Sequence, residues 1–221
     1  MHKFFDLNSP FMSFLSRLAD MVWLSVLWFL CCLPVITIGA STTALYYVAL
    51  KLARDEEVAV TACFFKGFKE NFKQGFVLNL IFLIVGAILV ADYFIMSGVQ
   101  SGAGTYSSAL FFVMFIWMLC IMFYTYPLQA QFVNPIRRTL MNAAMLSMRR
   151  ILDTVLIFVL NMLPVILAFA SFGLFIRTSP IWIMLAPGVV ARICAGRFVK
   201  MFAPYLPKVE EEEEDEETEE F

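Results

Sequence analysis

Four side chains carry most of the chemistry available to the apolar parts of this chain. Asn161, Gln129, Gln131 and Asp92 each lie inside, or at the end of, a long run of aliphatic and aromatic residues. Hydrocarbon penalises such groups, so each is a candidate contact to a substrate, an ion or a neighbouring helix. Asn161 is the deepest. It would bind solute if the protein encloses a route. Otherwise it satisfies a carbonyl freed by Pro164 or bonds across to Gln129 or Gln131. A bond of that kind contributes on the order of 0.6 kcal/mol, so its loss need not unfold the protein.

Catalysis has little to build on. The single histidine, His2, leaves the chain without the usual general base and metal ligand. Cys31, Cys32, Cys63, Cys120 and Cys194 form no C-x-x-C pair and mostly lie in apolar stretches. They read as reduced thiols facing lipid or core, not as a zinc site or a disulfide framework. No G-x-S-x-G, P-loop or H-E-x-x-H is present. The expectation is a protein without catalytic residues, cofactor or metal. Asp153 follows Arg149 and Arg150 at the spacing of a local helical ion pair. Arg192 and Arg197 stand near the end of an apolar run, within snorkelling reach of water.

The elements that position these groups follow from composition. Of 221 residues, 61% are hydrophobic and 15% charged, with a mean hydropathy of +0.81. Soluble domains are about 45–50% apolar and about a quarter charged. The 24 Phe, 13 Met and 4 Trp are too many for one water-soluble core of this length. An ordinary cytosolic enzyme, a secreted disulfide scaffold and a disordered chain are thereby excluded, leaving an integral membrane protein. No A-x-A site follows the first long apolar run, so no cleavable signal peptide is expected.

Ser9 and Pro10 mark a helix start, and Phe11, Phe14, Leu15 and Leu18 follow at helical spacing. This amphipathic helix runs into a first span over residues 21–38, bent by Pro34. The small residues from Gly39 to Ala44 suit close helix approach. Residues 41–53 make only about 20 Å of helix, which fits a tilted or re-entrant half-span. Between 64 and 76, Phe64, Phe65, Phe68, Phe72 and Phe76 fall within about 120° of one another, with Lys66, Lys69 and Lys73 opposite. That pattern predicts a helix lying in the membrane interface, rings in the acyl boundary and ammonium groups toward headgroups. Docking of this face on protein is the rival reading. Further spans are expected over 76–96, 109–133 (kinked at Pro127), 151–176 and 181–198, with a short basic helix within 134–150.

The formal net charge of −2 conceals an asymmetry: Glu210–Glu220 holds ten of the eighteen acids, leaving residues 1–209 with about eight excess positive charges. Nucleic-acid binding is a poor fit, because the basic residues flank apolar spans and form no single stripe. Segments 51–73, 134–150 and 192–208 carry thirteen of the sixteen Lys and Arg. By the positive-inside rule these segments, and the acidic tail, face the cytoplasm. Five straight crossings then put the N-terminus outside. A hairpin over residues 19–52 puts it inside.

The run Phe4-Phe5-Asp6-Leu7-Asn8-Ser9-Pro10 with Arg17-Leu18-Ala19-Asp20 resembles the opening of the bacterial YesL-type membrane proteins. So do residues 33–47 (LPVITIGASTTALYY) and 65–74 (FKGFKENFKQ). The resemblance is specific over the first seventy-odd residues and rests on hydropathy beyond them; the long acidic tail departs from it. The family has no assigned activity, and its members commonly accompany carbohydrate ABC transporters and polysaccharide-degradation genes. The resemblance thus implies an accessory role in sugar uptake or use, and supplies no catalytic residues.

The expectation is therefore an all-α polytopic transmembrane bundle over residues 1–206. It has about five spans and an interfacial helix, followed by a disordered acidic tail over 207–221. Its place is the bacterial cytoplasmic membrane, and its partners are the bilayer and carbohydrate ABC transporter components. The role is that of a non-catalytic accessory or scaffold. The competing expectation is a small transporter or channel with Asn161, Gln129 and Gln131 along its route.

Overall fold

The computed structural model describes residues 10–99, 102–170 and 183–205, with Gly173, Ile176, Arg177 and Ser179 between the last two stretches. The Ser9 cap, His2, the acidic tail and the start of the expected fifth span lie outside the described residues. Within them the regular structure is helical: α1 (Pro10–Cys32), α2 (Ile38–Ala53), α3 (Val60–Ser97), α4 (Gly102–Gln131), α5 (Ile136–Arg149), α6 (Ile151–Ala170) and α7 (Ala186–Phe202).

The first expected span, 21–38, is divided. Pro34 cannot donate to a helical ladder and pushes Leu33 out of the helical region, so α1 stops at Cys32. A single 3₁₀ turn, Val35–Thr37, then reverses the chain into α2. The two helices run antiparallel: Trp28 Nε1 donates to Thr42 Oγ1 (3.2 Å), and Arg17 meets Asp55 at 3.2 Å. The start of α1 and the α2–α3 loop therefore share one end of the bundle. This is the hairpin arrangement, and the straight run of α1 through to residue 38 is corrected by it. Among the described residues, four helical segments are long and apolar enough to cross a membrane, 15–32, 35–53, 60–97 and 102–131, and 151–166 is a shorter apolar stretch of α6. Of the expected spans, 151–176 and 181–198 run into residues outside the described ones, and 35–53 is an additional segment of this kind; α7 carries Arg192, Arg197 and Lys200 within seventeen residues.

Burial explains the order of packing. Ten of the sixteen residues of α2 are buried, which makes it the central helix. It lies against α3 so closely that a Cβ added at Gly39 would stand 2.2 Å from the Gly75 carbonyl oxygen. Only two glycines allow this approach. A second close crossing seats α7 on α1, where Gly188 N donates to Ser25 Oγ at 2.8 Å. α4 returns along α3, with Tyr93 beside Phe112 and Phe82 beside Tyr126. The core holds Leu24, Val48, Phe64, Leu78, Tyr124, Ile157, Phe198 and Phe202, all fully buried. Beyond Phe82 the α3–α4 pair buries only small groups and Leu89 among its described residues and exposes Ile84, Ile88, Phe94, Phe112 and Val113.

The α2–α3 loop closes on Asp55, the one described non-glycine residue with positive φ (58°). Glu56 N donates to Lys51 O and Asp55 N to Leu52 O, each at 3.2 Å, the paired bonds of a Schellman end. Asp55→Gly should hold or raise the melting temperature in detergent, since the exposed Arg17 pair contributes little. Asp55→Val should cost about 1–2 kcal/mol, the left-handed penalty for a branched residue.

Candidate functional site

The polar groups that carry the candidate chemistry are dispersed. Gln129 is buried just beyond Pro127, inside the kinked end of α4. Its Oε1 accepts from Thr43 Oγ1 at 3.2 Å and its Nε2 donates to the Asn71 carbonyl at 3.4 Å, stitching α4 to α2 and α3. Gln131 accepts from the Arg54 guanidinium at the basic end. Asn161 donates to the Ile157 carbonyl one turn back in its own helix, at 2.8 Å. Its partner is thus neither of the glutamines, nor the Leu160 carbonyl that Pro164 leaves free. Asn161 lines a cavity of about 170 Å³ with Trp28, Tyr46, Pro164 and Pro187, and neither Gln129 nor Gln131 borders it. Asp92 is half-buried near the far end of α3, five residues before its last residue Ser97. These four side chains do not converge on one route.

The aromatic face of residues 64–76 is also placed differently from a helix lying flat in the interface. It is the first part of α3, continuous with the crossing that follows. The 38 residues make about 57 Å of helix against roughly 30 Å of hydrocarbon, so this part extends past the apolar layer toward the basic end. Phe64 is fully buried and Phe68 half-buried, stacked at 6.3 Å between centroids. Phe65 and Phe72 are exposed beside Lys66, Lys69 and Lys73. Gly67 admits Tyr47 of α2, whose ring comes within 2.9 Å of the place a Cβ would take. The Phe64–Gly67 side of the helix is thus a protein contact, because α2 needs a partner along its whole length.

Two contacts had weaker signals in the sequence. Asp153 meets Arg197 of α7 at 2.9 Å and its expected neighbour Arg150 only at 3.9 Å. The carboxylate is mostly buried and both arginines are half exposed. A loss of about 1 kcal/mol is expected for Asp153→Ala, seen as a lowered melting temperature in detergent. Asn79, the one amide in the apolar run after Phe76, donates Nδ2 to the Val35 carbonyl at 2.9 Å. The turn between α1 and α2 satisfies itself otherwise: Thr37 N donates to Pro34 O at 3.0 Å, and Thr37 Oγ1 reaches Cys31 O at 2.6 Å. Its side chains Leu33, Val35 and Ile36 are exposed and apolar. Pairing of the Cys31, Pro34 and Val35 carbonyls lowers the cost of irregular backbone in apolar surroundings. This tip packs at Asn79, so α3 continues eighteen residues, about 27 Å, beyond it.

At the basic end, α4, α5, the end of α7 and the 3₁₀ turn Ala203–Tyr205 line a half-open cleft of about 450 Å³, with Met145 on its rim. Leu128, Phe132 and Phe202 form its apolar wall, and Asn134, Asn142 and Arg149 give it donors. Residues 21–93, about a third of the chain, match the model of a family described as "Protein of unknown function, DUF624". No curated protein and no solved structure matches the chain. The matched stretch takes in the second half of α1, all of α2 and most of α3, with the Gly39–Gly75 crossing, the α1–α2 turn and Asn79.

Proposed function

We propose that the chain is a multi-pass protein of the bacterial cytoplasmic membrane, acting as a non-catalytic accessory or scaffold in carbohydrate uptake beside an ABC transporter. The observation that carries the scaffold reading is the split between core and arm. The buried core is gathered at the basic end, whereas the far half of the α3–α4 hairpin offers apolar side chains on most sides. Such a pair of helices suits packing against the helices of another membrane protein. The carbohydrate setting rests on the YesL-type resemblance. The cytoplasmic placement of the basic end rests on the positive-inside rule, applied to segments 51–73, 134–150 and 192–208.

A photo-crosslinking residue in place of Phe94, in cells grown on a polysaccharide, should capture a transporter membrane subunit. Mild-detergent purification should then recover the same subunit. Recovery of no transporter component on any sugar would overturn the reading. The transporter or channel reading makes a different demand, since it requires Asn161 on the route. Proteoliposomes should show no solute flux that Asn161→Leu alters, because the amide donates to the Ile157 carbonyl of its own helix and faces Tyr46 and Cys194, not a continuous polar route.

A further inference from the structure

α5 combines an apolar stripe with flanking cations, the chemistry of a surface for anionic lipid. Thr139, Ala143 and Ser147 are its buried face. Met141, Met145 and Met148, at 55%, 50% and 63% exposure, fall within about 60° on the opposite side. Arg137 stands on one flank of this stripe and Arg138 and Arg149 on the other, all exposed. No acid occurs in the helix. Just outside the helix, Val133 is fully exposed and Leu152 is 88% exposed. Water has no reason to face this many apolar side chains on and beside one short helix.

The position of α5 decides among occupants. It joins the end of α4, which spans 102–131, to the start of apolar α6. It therefore sits where the hydrocarbon of the basic leaflet gives way to headgroups. We propose that α5 binds the bilayer itself: methionines enter the acyl boundary and the arginines bind the phosphates of anionic phospholipids. Unbranched thioether chains suit an irregular lipid surface, and guanidinium forks suit phosphate. This inference is independent of any transporter partner, and it places interfacial binding on 136–149 in addition to the exposed rings and lysines of α3.

The test uses the full chain with a benzophenone amino acid replacing Met145, in nanodiscs of equal phosphatidylcholine and phosphatidylglycerol. Irradiation should give a mass increase of one phospholipid, enriched in phosphatidylglycerol. Arg137→Gln and Arg138→Gln should each lower that enrichment about fivefold. The same group replacing Phe94 serves as the lipid-facing control and should show no headgroup preference. Three outcomes overturn the proposal: a crosslink between two copies, a crosslink to the Glu210–Glu220 segment, or no lipid adduct at 145 where the control gives one.

Discussion

Leucine in place of Gly75 is expected to separate α2 from α3 and dismantle the bundle. A Cβ at this position would lie 2.8 Å from the Ala40 nitrogen and from its Cα, both backbone atoms that no rotamer change can move away. The helices would have to part. Parting them breaks the Asn79–Val35 bond that ties the turn and loosens Thr43 from Gln129. Overpacking of this kind costs about 3 kcal/mol or more. A fall of about 10 °C in the detergent melting temperature follows, with loss of the monodisperse peak. Gly39→Ala should do the same on a smaller side chain, since its Cβ would meet the Gly75 oxygen at 2.2 Å. Gly102→Ala, with nothing within 4 Å, should change nothing. Equal stability of Gly75→Leu and Gly102→Ala would refute the close crossing.

The second expected result concerns depth. In a cysteine-free background, Val35→Cys should react with a membrane-impermeant maleimide at least about tenfold more slowly than Val99→Cys or Glu57→Cys, from whichever side reagent is added. Val35 and Val99 are both exposed on the protein, so differences in protein cover cannot explain the contrast. Val99 follows the far end of α3, and Glu57 lies in the basic-end loop. Val35 sits at the tip that stops beside Asn79, about 27 Å of helix before that far end. A turn embedded in hydrocarbon is shielded from both aqueous sides. Labelling of Val35→Cys from the far side at the rate of Val99→Cys would show instead that the hairpin crosses fully. Asn79→Leu should expose the same turn to a different test. It leaves the Val35 carbonyl without its partner, at about 1–3 kcal/mol.

The α5 surface and the α1–α2 tip bear on the same boundary. The tip enters from the basic end, and α5 lies along that end with its arginines outward. An accessory anchored this way would present its α2–α3 loop to the cytoplasm under the proposed orientation.

Composition and charge settled the broad class, because a chain this apolar can satisfy its backbone in lipid only as helices or a closed barrel. The helical periods of 64–76 and the small residues at 39–44 pointed to helices, and they are helices. Pro34 announced a bend. Whether it marked a kink in one span or the reversal of a hairpin depended on the pairing of Arg17 with Asp55 and of Asn79 with Val35, contacts across tens of residues. The fate of the Phe64 ring was likewise open: an amphipathic face buries equally well in lipid or on protein, and α2 supplied the protein. The local pair of Asp153 with Arg150 was visible as a spacing, whereas its shorter bond to Arg197 needed α6 and α7 to meet. Asn161, Gln129 and Gln131 looked alike as amides in apolar runs. Only the packing separated them, giving each a different partner, because periodicity reports which face of a helix is apolar and nothing about what stands opposite it.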